Sequence, residues 1–202
     1  TGVWVSTDAG LSWTPRNLGL LGLNVSDVAV SPDFATDSTL LATTDQGLFR
    51  STDEGLLWQA VTAGIVESAP WRVTFAPDGG GTVFLAGQTL HRSDDGGQTW
   101  AAQHVFDDPL ACLAVAPDFA TSETLAVSFG RVGGGVLVST SGGVDWQPAT
   151  TGLVDLRVNQ VALAPDGTMF AVAALGGCHR APSPGAAWTS FTEGFESLTQ
   201  QT

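Results

Sequence analysis

The octapeptide STDEGLLW at residues 51–58 reads as a tight turn between two strands, and it recurs along the chain. STDAGLSW stands at 6–13 and SDDGGQTW at 93–100, with weaker copies STSGGVDW at 139–146 and APSPGAAW at 181–188. The starts at 6, 51, 93, 139 and 181 lie 45, 42, 46 and 42 residues apart. A second motif keeps phase with the first: VAVSPD ends at Asp33, VTFAPD at Asp78, LAVAPD at Asp118 and VALAPD at Asp166. A repeat of about 40–50 residues suits one four-stranded propeller blade.

The residue types in the octapeptide have local reasons. A carboxylate at the third position (Asp8, Asp53, Asp95) accepts hydrogen bonds from backbone N–H groups two or three residues on, and the first-position hydroxyls of Ser6, Ser51, Ser93 and Ser139 do the same more weakly. The glycine two residues later (Gly10, Gly55, Gly97, Gly143, Gly185) is expected at positive φ. The closing Trp13, Trp58, Trp100, Trp146 and Trp188 bury a large ring and aim an N–H at a carbonyl. The third position runs Asp8, Asp53, Asp95, Ser141, Ser183, so the turns are expected to loosen toward the C-terminus.

Around these turns the sequence reads as short runs rich in Val, Leu and Thr. In the first full unit they are 27–31, 39–43, 48–51 and 57–61, which we label strands A to D with A innermost. The expected fold is all-β: a β-propeller of four-stranded antiparallel blades, four complete and one half. A single domain over 1–202 divides into a half blade at 1–16, blades at about 24–62, 70–103, 109–149 and 157–191, and a tail at 192–202. A half blade leaves strand edges to be covered. The natural chain continues, the ring closes irregularly, or self-association with a second copy completes it; part of a larger propeller is the favoured reading. The chain begins at Thr1 with its only Met at Met169, which reads as a processed or excised segment.

The pattern Ser-x-Asp-x-Gly-x-x-Trp resembles the Asp-box, or bacterial neuraminidase repeat, family over almost the whole chain. The resemblance implies that the box forms the C–D turn on the propeller rim, away from the active face of the enzymes that carry it, so the box residues are read as structural. It also implies comparison with photosystem II assembly factors, sortilin-type receptor domains and sialidases. Sialidases use a Tyr nucleophile and three Arg, and this chain has no Tyr. Arg50, Arg92 and Arg180 match one another but directly precede the box, and are expected to pair with carboxylates near the turns. Other Asp-box hydrolases need two carboxylates about 5–10 Å apart across a cleft; Asp107 and Asp108 are neighbours whose side chains are expected to diverge.

Composition narrows the partners. Twenty acids against seven bases, all Arg, give a net charge of −13. That field repels nucleic acid and anionic membranes, and no apolar run reaches the ~20 residues of a membrane-inserted helix. Cys112 and Cys178 hold different repeat positions and read as two buried thiols. His91 and His179 share a position with Trp4 and Phe49 and read as partly packed strand residues, so neither a metal nor another cofactor is expected. Gly-x-Ser-x-Gly is absent, the glycine runs 79–81 and 133–135 read as turns, and Asn24-Val25-Ser26 is a glycosylation sequon.

A ligand site is expected on the face of the long D–A loops (about 17–27, 61–72, 103–111 and 150–160) and the B–C connections. Trp71, Arg72 and Arg157 would combine a stacking face with planar cations, and Asp107, Asp108 and Asp155 lie in the same loops. The favoured function is a non-enzymatic scaffold that binds a protein or glycan there, placed outside the cytoplasm. The alternatives are part of a carbohydrate-active hydrolase and a structural subunit of a cell-surface complex.

Overall fold

The computed structural model describes residues 1–65 and 72–191. The chain forms two compact units, Thr1–Pro109 and the segment from Leu110 onward. The first unit opens with a two-stranded sheet, β1 (Trp4–Val5) against β2 (Thr14–Pro15). A four-stranded antiparallel sheet follows: β3 (Val25–Val30), a single helical turn α1 (Phe34–Asp37), β4 (Leu40–Thr44), β5 (Gly47–Ser51) and β6 (Gln59–Val61). The next sheet is β7 (Arg72–Phe75), β8 (Val83–Ala86), β9 (Thr89–Ser93) and β10 (Ala101–Val105). The second unit holds β11 (Cys112–Val115), α2 (Phe119–Ser122), β12 (Leu125–Ser128), β13 (Val136–Ser139) and β14 (Gln147–Pro148). Its other sheet is β15 (Val158–Leu163), β16 (Met169–Ala173), β17 (Gly177–Ala181) and β18 (Thr189–Ser190). In all four large sheets each strand pairs with its sequence neighbour, the meander of a propeller blade.

The two helical turns are absent from the sequence reading. Pro-Asp followed by Phe-Ala-Thr gives a helical turn closed by a left-handed residue, Ser38 (φ 51°) or Glu123 (φ 48°). Pro-Asp followed by glycine gives a tight turn instead, with the Asp78 carboxylate accepting the Gly80 N–H at 2.9 Å. Asp166 likewise accepts the Thr168 N–H at 2.9 Å.

The box turns are hydrogen-bonded more tightly than the sequence suggests. Ser51 Oγ accepts the Gly55 N–H at 2.9 Å and donates to Asp53 Oδ1 at 2.7 Å. Asp53 in turn accepts the Leu57 N–H, four residues on rather than two or three, at 3.0 Å. The same scheme joins Ser6, Asp8, Gly10 and Ser12, and Ser93, Asp95, Gly97 and Thr99. It needs two consecutive left-handed residues: Ala9 and Gly10, Glu54 and Gly55, Gly96 and Gly97, Gly142 and Gly143. The first of each pair, where an A–B connection precedes it, donates its N–H to that connection: Glu54 to Ser38, Gly96 to Gly81 and Gly142 to Glu123, at 2.9–3.2 Å. The box thus fastens the C–D turn to the A–B connection at one end of its own blade.

The expected loosening takes a specific form. Box four keeps the geometry with Ser141 Oγ in place of the carboxylate, accepting the Asp145 N–H at 2.9 Å. Box five has Ala181 in place of the serine and Pro184, which has neither an N–H nor access to positive φ. Among the described residues it keeps a backbone bond, Ala186 N–H to the Ser183 carbonyl at 3.1 Å, and no side-chain bond of the box scheme.

The core lies between adjacent sheets. Val3 and Leu20 pack with Leu40, Ala42, Phe49 and Trp58; Leu41 and Leu48 pack with Val73, Val83, Leu85 and Trp100. In the second unit Val136, Val138 and Ala149 pack with Val161, Met169, Ala171 and Trp188. Three expectations need correction. His91 and His179 are fully buried, on the covered faces of β9 and β17, and neither ring nitrogen of His179 has a hydrogen-bond partner. Cys112 and Cys178 are free but only half-buried, with Cys112 Sγ 3.5 Å from the Val161 carbonyl. Arg50 donates Nε to the Gly96 carbonyl at 2.8 Å, a backbone acceptor, whereas Arg92 does pair with Asp94 at 2.8 Å.

Candidate functional site

The loop face is built at the starts of the A strands. β3 and β15 each begin with a register shift against the next strand, between Val25 and Asp27 and between Val158 and Gln160. Such bulges re-aim side chains at a sheet end. Asp27 is turned so that Oδ2 accepts the Val73 N–H of β7 at 3.2 Å, which commits it to joining two sheets. Arg72, at the head of β7, is exposed, and Trp71 lies outside the described residues.

Asp107 and Asp108 follow β10, the first exposed and the second half-buried. Their loop is tied to the B–C turn: the Phe106 N–H donates to the Gln88 carbonyl at 3.0 Å, and Gln88 Nε2 returns to the Phe106 carbonyl at 3.3 Å. The His104 and Phe106 rings lie 4.6 Å apart, tilted. In the second unit Asp155 plays the tying role. It accepts the Arg157 N–H at 3.0 Å and the Leu175 N–H of the B–C turn at 2.9 Å, and meets the Arg157 guanidinium at 3.4 Å. Of the six expected residues, then, Asp155 and Arg157 are brought together as a mutual pair.

The rim carries two equivalent grooves that sequence reasoning missed. One, of about 330 Å³, lies beside box two and is lined by Arg50, Thr52, Asp53, Gln59 and Gln98. The other, about 350 Å³, lies beside box four and is lined by Val138, Asp145, Pro148, Ala149 and Pro184. Val138 stands where Arg50 does and Pro148 where Ala60 does, so one position class makes a polar groove in one unit and an apolar groove in the other. The signal was in the residues flanking the boxes, but the groove itself exists only once two sheets stack.

The perturbed carboxylates all move downward. Asp8 is lowered to about 2, chiefly by the Ser12 hydroxyl, with the Ser12 amide and Ser6 adding to it. In Asp95 burial raises the pKa, but the Thr99 hydroxyl and amide, Ser93 and Gln98 outweigh it and hold the group at about 2. The Ser51 hydroxyl lowers Asp53, the Arg157 amide lowers Asp155 and the Thr168 amide lowers Asp166. These are acceptors held ionised by donors. Among the described residues no three His, Cys, Asp or Glu side chains are grouped to hold a metal, and no helix is long and apolar enough to cross a membrane.

Comparison with known proteins agrees with this architecture. The family model described as BNR/Asp-box repeat matches residues 91–102, the third box with its flanking strands. The third copy of the repeat thus matches the Asp-box, and the fold is a β-propeller. A structure of YCF48 bound to D1 peptide matches 94% of the chain and 63% of its own length, with 18% identity and a TM-score of 0.69. An ancestral GH74 enzyme matches over 95% of the chain and 25% of its own, with 23% identity and a TM-score of 0.67. PorZ, a surface component of the type-IX secretion system of Porphyromonas gingivalis, matches over 83% of the chain and 21% of its own, with 15% identity and a TM-score of 0.55. The chain therefore spans less than two thirds of each of these neighbours. No curated protein matches it in sequence.

Proposed function

We propose that this chain is a non-enzymatic binding or assembly scaffold, located outside the cytoplasm, that presents its D–A and B–C loops to a protein segment, with a glycan as the alternative ligand. The observation that carries the reading is the build of the loops within each unit: Gln88 fixes loop to loop in the first, where Arg72 stays exposed at a strand head, and Asp155 does so in the second. A preorganised loop surface with an exposed planar cation suits recognition of peptide carboxylates or carbonyls, and Trp71 would add a stacking face beside it. YCF48 bound to D1 peptide supports a peptide partner, and PorZ supports a surface location. The direction of the carboxylate shifts supports a non-catalytic role, because a glycosidase general acid needs a pKa raised toward neutrality.

Screening the full chain against a peptide library and a glycan array tests this. A ligand of the first unit's loops should bind roughly tenfold more weakly to Arg72→Ala, and a ligand of the second unit's loops should lose affinity to Asp155→Asn, which loosens the loop. Binding insensitive to both changes, or release of reducing sugar from a polysaccharide panel, would refute the reading.

A further inference from the structure

Three of the four large sheets carry an arginine directly before the box: Arg50, Arg92 and Arg180. The fourth has Val138. The register makes the places equivalent, since Arg50 stands opposite Leu41 and Gln59 and Val138 opposite Ala126 and Gln147. Arg50 reaches the next sheet of its unit, where Nε donates to the Gly96 carbonyl in the turn of the following box at 2.8 Å. Arg92 closes on Asp94 instead. The groove beside box two therefore holds a guanidinium of its own.

The groove beside box four has a similar volume and the opposite charge. No basic residue lines it. Val138 replaces Arg50, and Asp145 stands on its wall where Leu57 stands in the other groove. The Asp145 carboxylate is exposed and has no hydrogen bond or ion pair among the described residues. Pro184 occupies the place of Gly96 and lines the groove, and its carbonyl also accepts no hydrogen bond among the described residues. We infer that the box-four groove is a docking site for a partner protein segment that presents an arginine. The arginine stem lies along Val138, Pro148 and Pro184, as such stems do on apolar surface. The guanidinium pairs with Asp145, and the Pro184 carbonyl takes the part that the Gly96 carbonyl plays for Arg50. Lysine fits less well, because a compact ammonium lacks the planar fork that can serve two acceptors. The charge of −13 draws such a cationic segment toward the chain. C–D and B–C turns lie at opposite ends of the same strands, so this rim site is separate from the loop face.

Titration of the isotope-labelled full chain with a blocked tripeptide, one arginine between two alanines, tests the inference by NMR. The amide signals of Asp145, Ala149 and Gly185 should shift together. The lysine peptide should bind more weakly, and the citrulline peptide, which keeps the shape and loses the charge, should leave those signals in place. Asp145→Asn should weaken binding roughly tenfold with an unchanged melting temperature, because the side chain is exposed. Asp33→Asn, at another exposed acid in the first unit, and Arg72→Ala, on the loop face, should leave it unchanged. No shift at the groove at millimolar peptide, equal binding of the citrulline peptide, shifts spread over the acidic surface, or indifference to Asp145→Asn would each overturn the proposal. None of these results bears on the loop-face ligand.

Discussion

Asp95 shows how much one side chain holds. Its two oxygens take the amides of Gln98 and Thr99 and the Thr99 hydroxyl at 2.6–2.9 Å, and Oδ1 also takes the Ser93 hydroxyl at 2.7 Å. All these donors favour the ionised form, so its pKa falls to about 2. A carboxyl whose folded pKa is depressed contributes stability that is fully present above its unfolded value, 3.8, and is lost as pH falls toward the folded value. Asp8 and Asp53 shift the same way. Stability should therefore fall as pH drops from about 4 to about 2. Asp95→Asn should cost about 1 kcal/mol at neutral pH through the lost acceptor and flatten that acid dependence. Thermal melts across the pH range check both; a wild-type acid slope in the Asp95→Asn protein would contradict the account. The sequence identified Asp95, its role and a donor three residues on, Gln98, but missed the Thr99 amide four residues on, which the double left-handed turn at Gly96 and Gly97 brings within reach.

At the level of the element, the box and a glycine latch divide the labour. The box ties strands C and D to the A–B connection within a blade, and the glycine latch ties one blade to the next within a unit. Trp58, Trp100 and Trp188 donate their backbone N–H to the carbonyls of Leu18, Ala63 and Thr151. The residue after each acceptor is a glycine, Gly19, Gly64 or Gly152, nine residues beyond a box glycine. A Cβ on any of the three would run into the carbonyl oxygen of that tryptophan. Gly64→Ala is predicted to be among the costliest single-atom changes in the chain. The left-handed backbone alone costs an alanine about 1–2 kcal/mol, and separating the Trp100 contact loses a buried hydrogen bond worth about 1 kcal/mol more. Gly79→Ala, at φ 64° but with open space around it, should lose only the backbone term. Denaturant titration of the pair separates steric from conformational cost; equal losses would show that the close approach to Trp100 does not matter. The latch was legible in principle from the nine-residue glycine spacing. It was missed because no other position of these loops is the same in all three, and only the packed Trp carbonyl explains the constancy. The third box departs from the spacing, with Phe106 at that place, and there the loop turns back onto Gln88 instead.

For the whole molecule, charge is the dominant global term. Twenty acids and seven arginines, with few ion pairs among the described residues, leave the folded chain under self-repulsion at neutral pH. Raising salt from about 0.01 M to 0.15 M, which shortens the Debye length from about 30 to 8 Å, should raise the melting temperature at pH 7. A flat or falling response would mean that specific pairs outweigh the field.

The sequence alone determined the all-β propeller class, the period of the blades and the structural role of the boxes, because those depend on local turn chemistry and alternating apolar runs that any short window displays. These 202 residues also contain no Tyr. What only the tertiary structure decided is which polar groups are spent. Asp155 reads from the sequence as a candidate ligand, and the fold spends it on the Leu175 amide 20 residues away; Asp27 and Gln88 are likewise spent on partners 46 and 18 residues away. Trp13 and Trp58 are alike in sequence, yet one ring is exposed and the other buried, because burial is set by the neighbouring sheet and not by the residue.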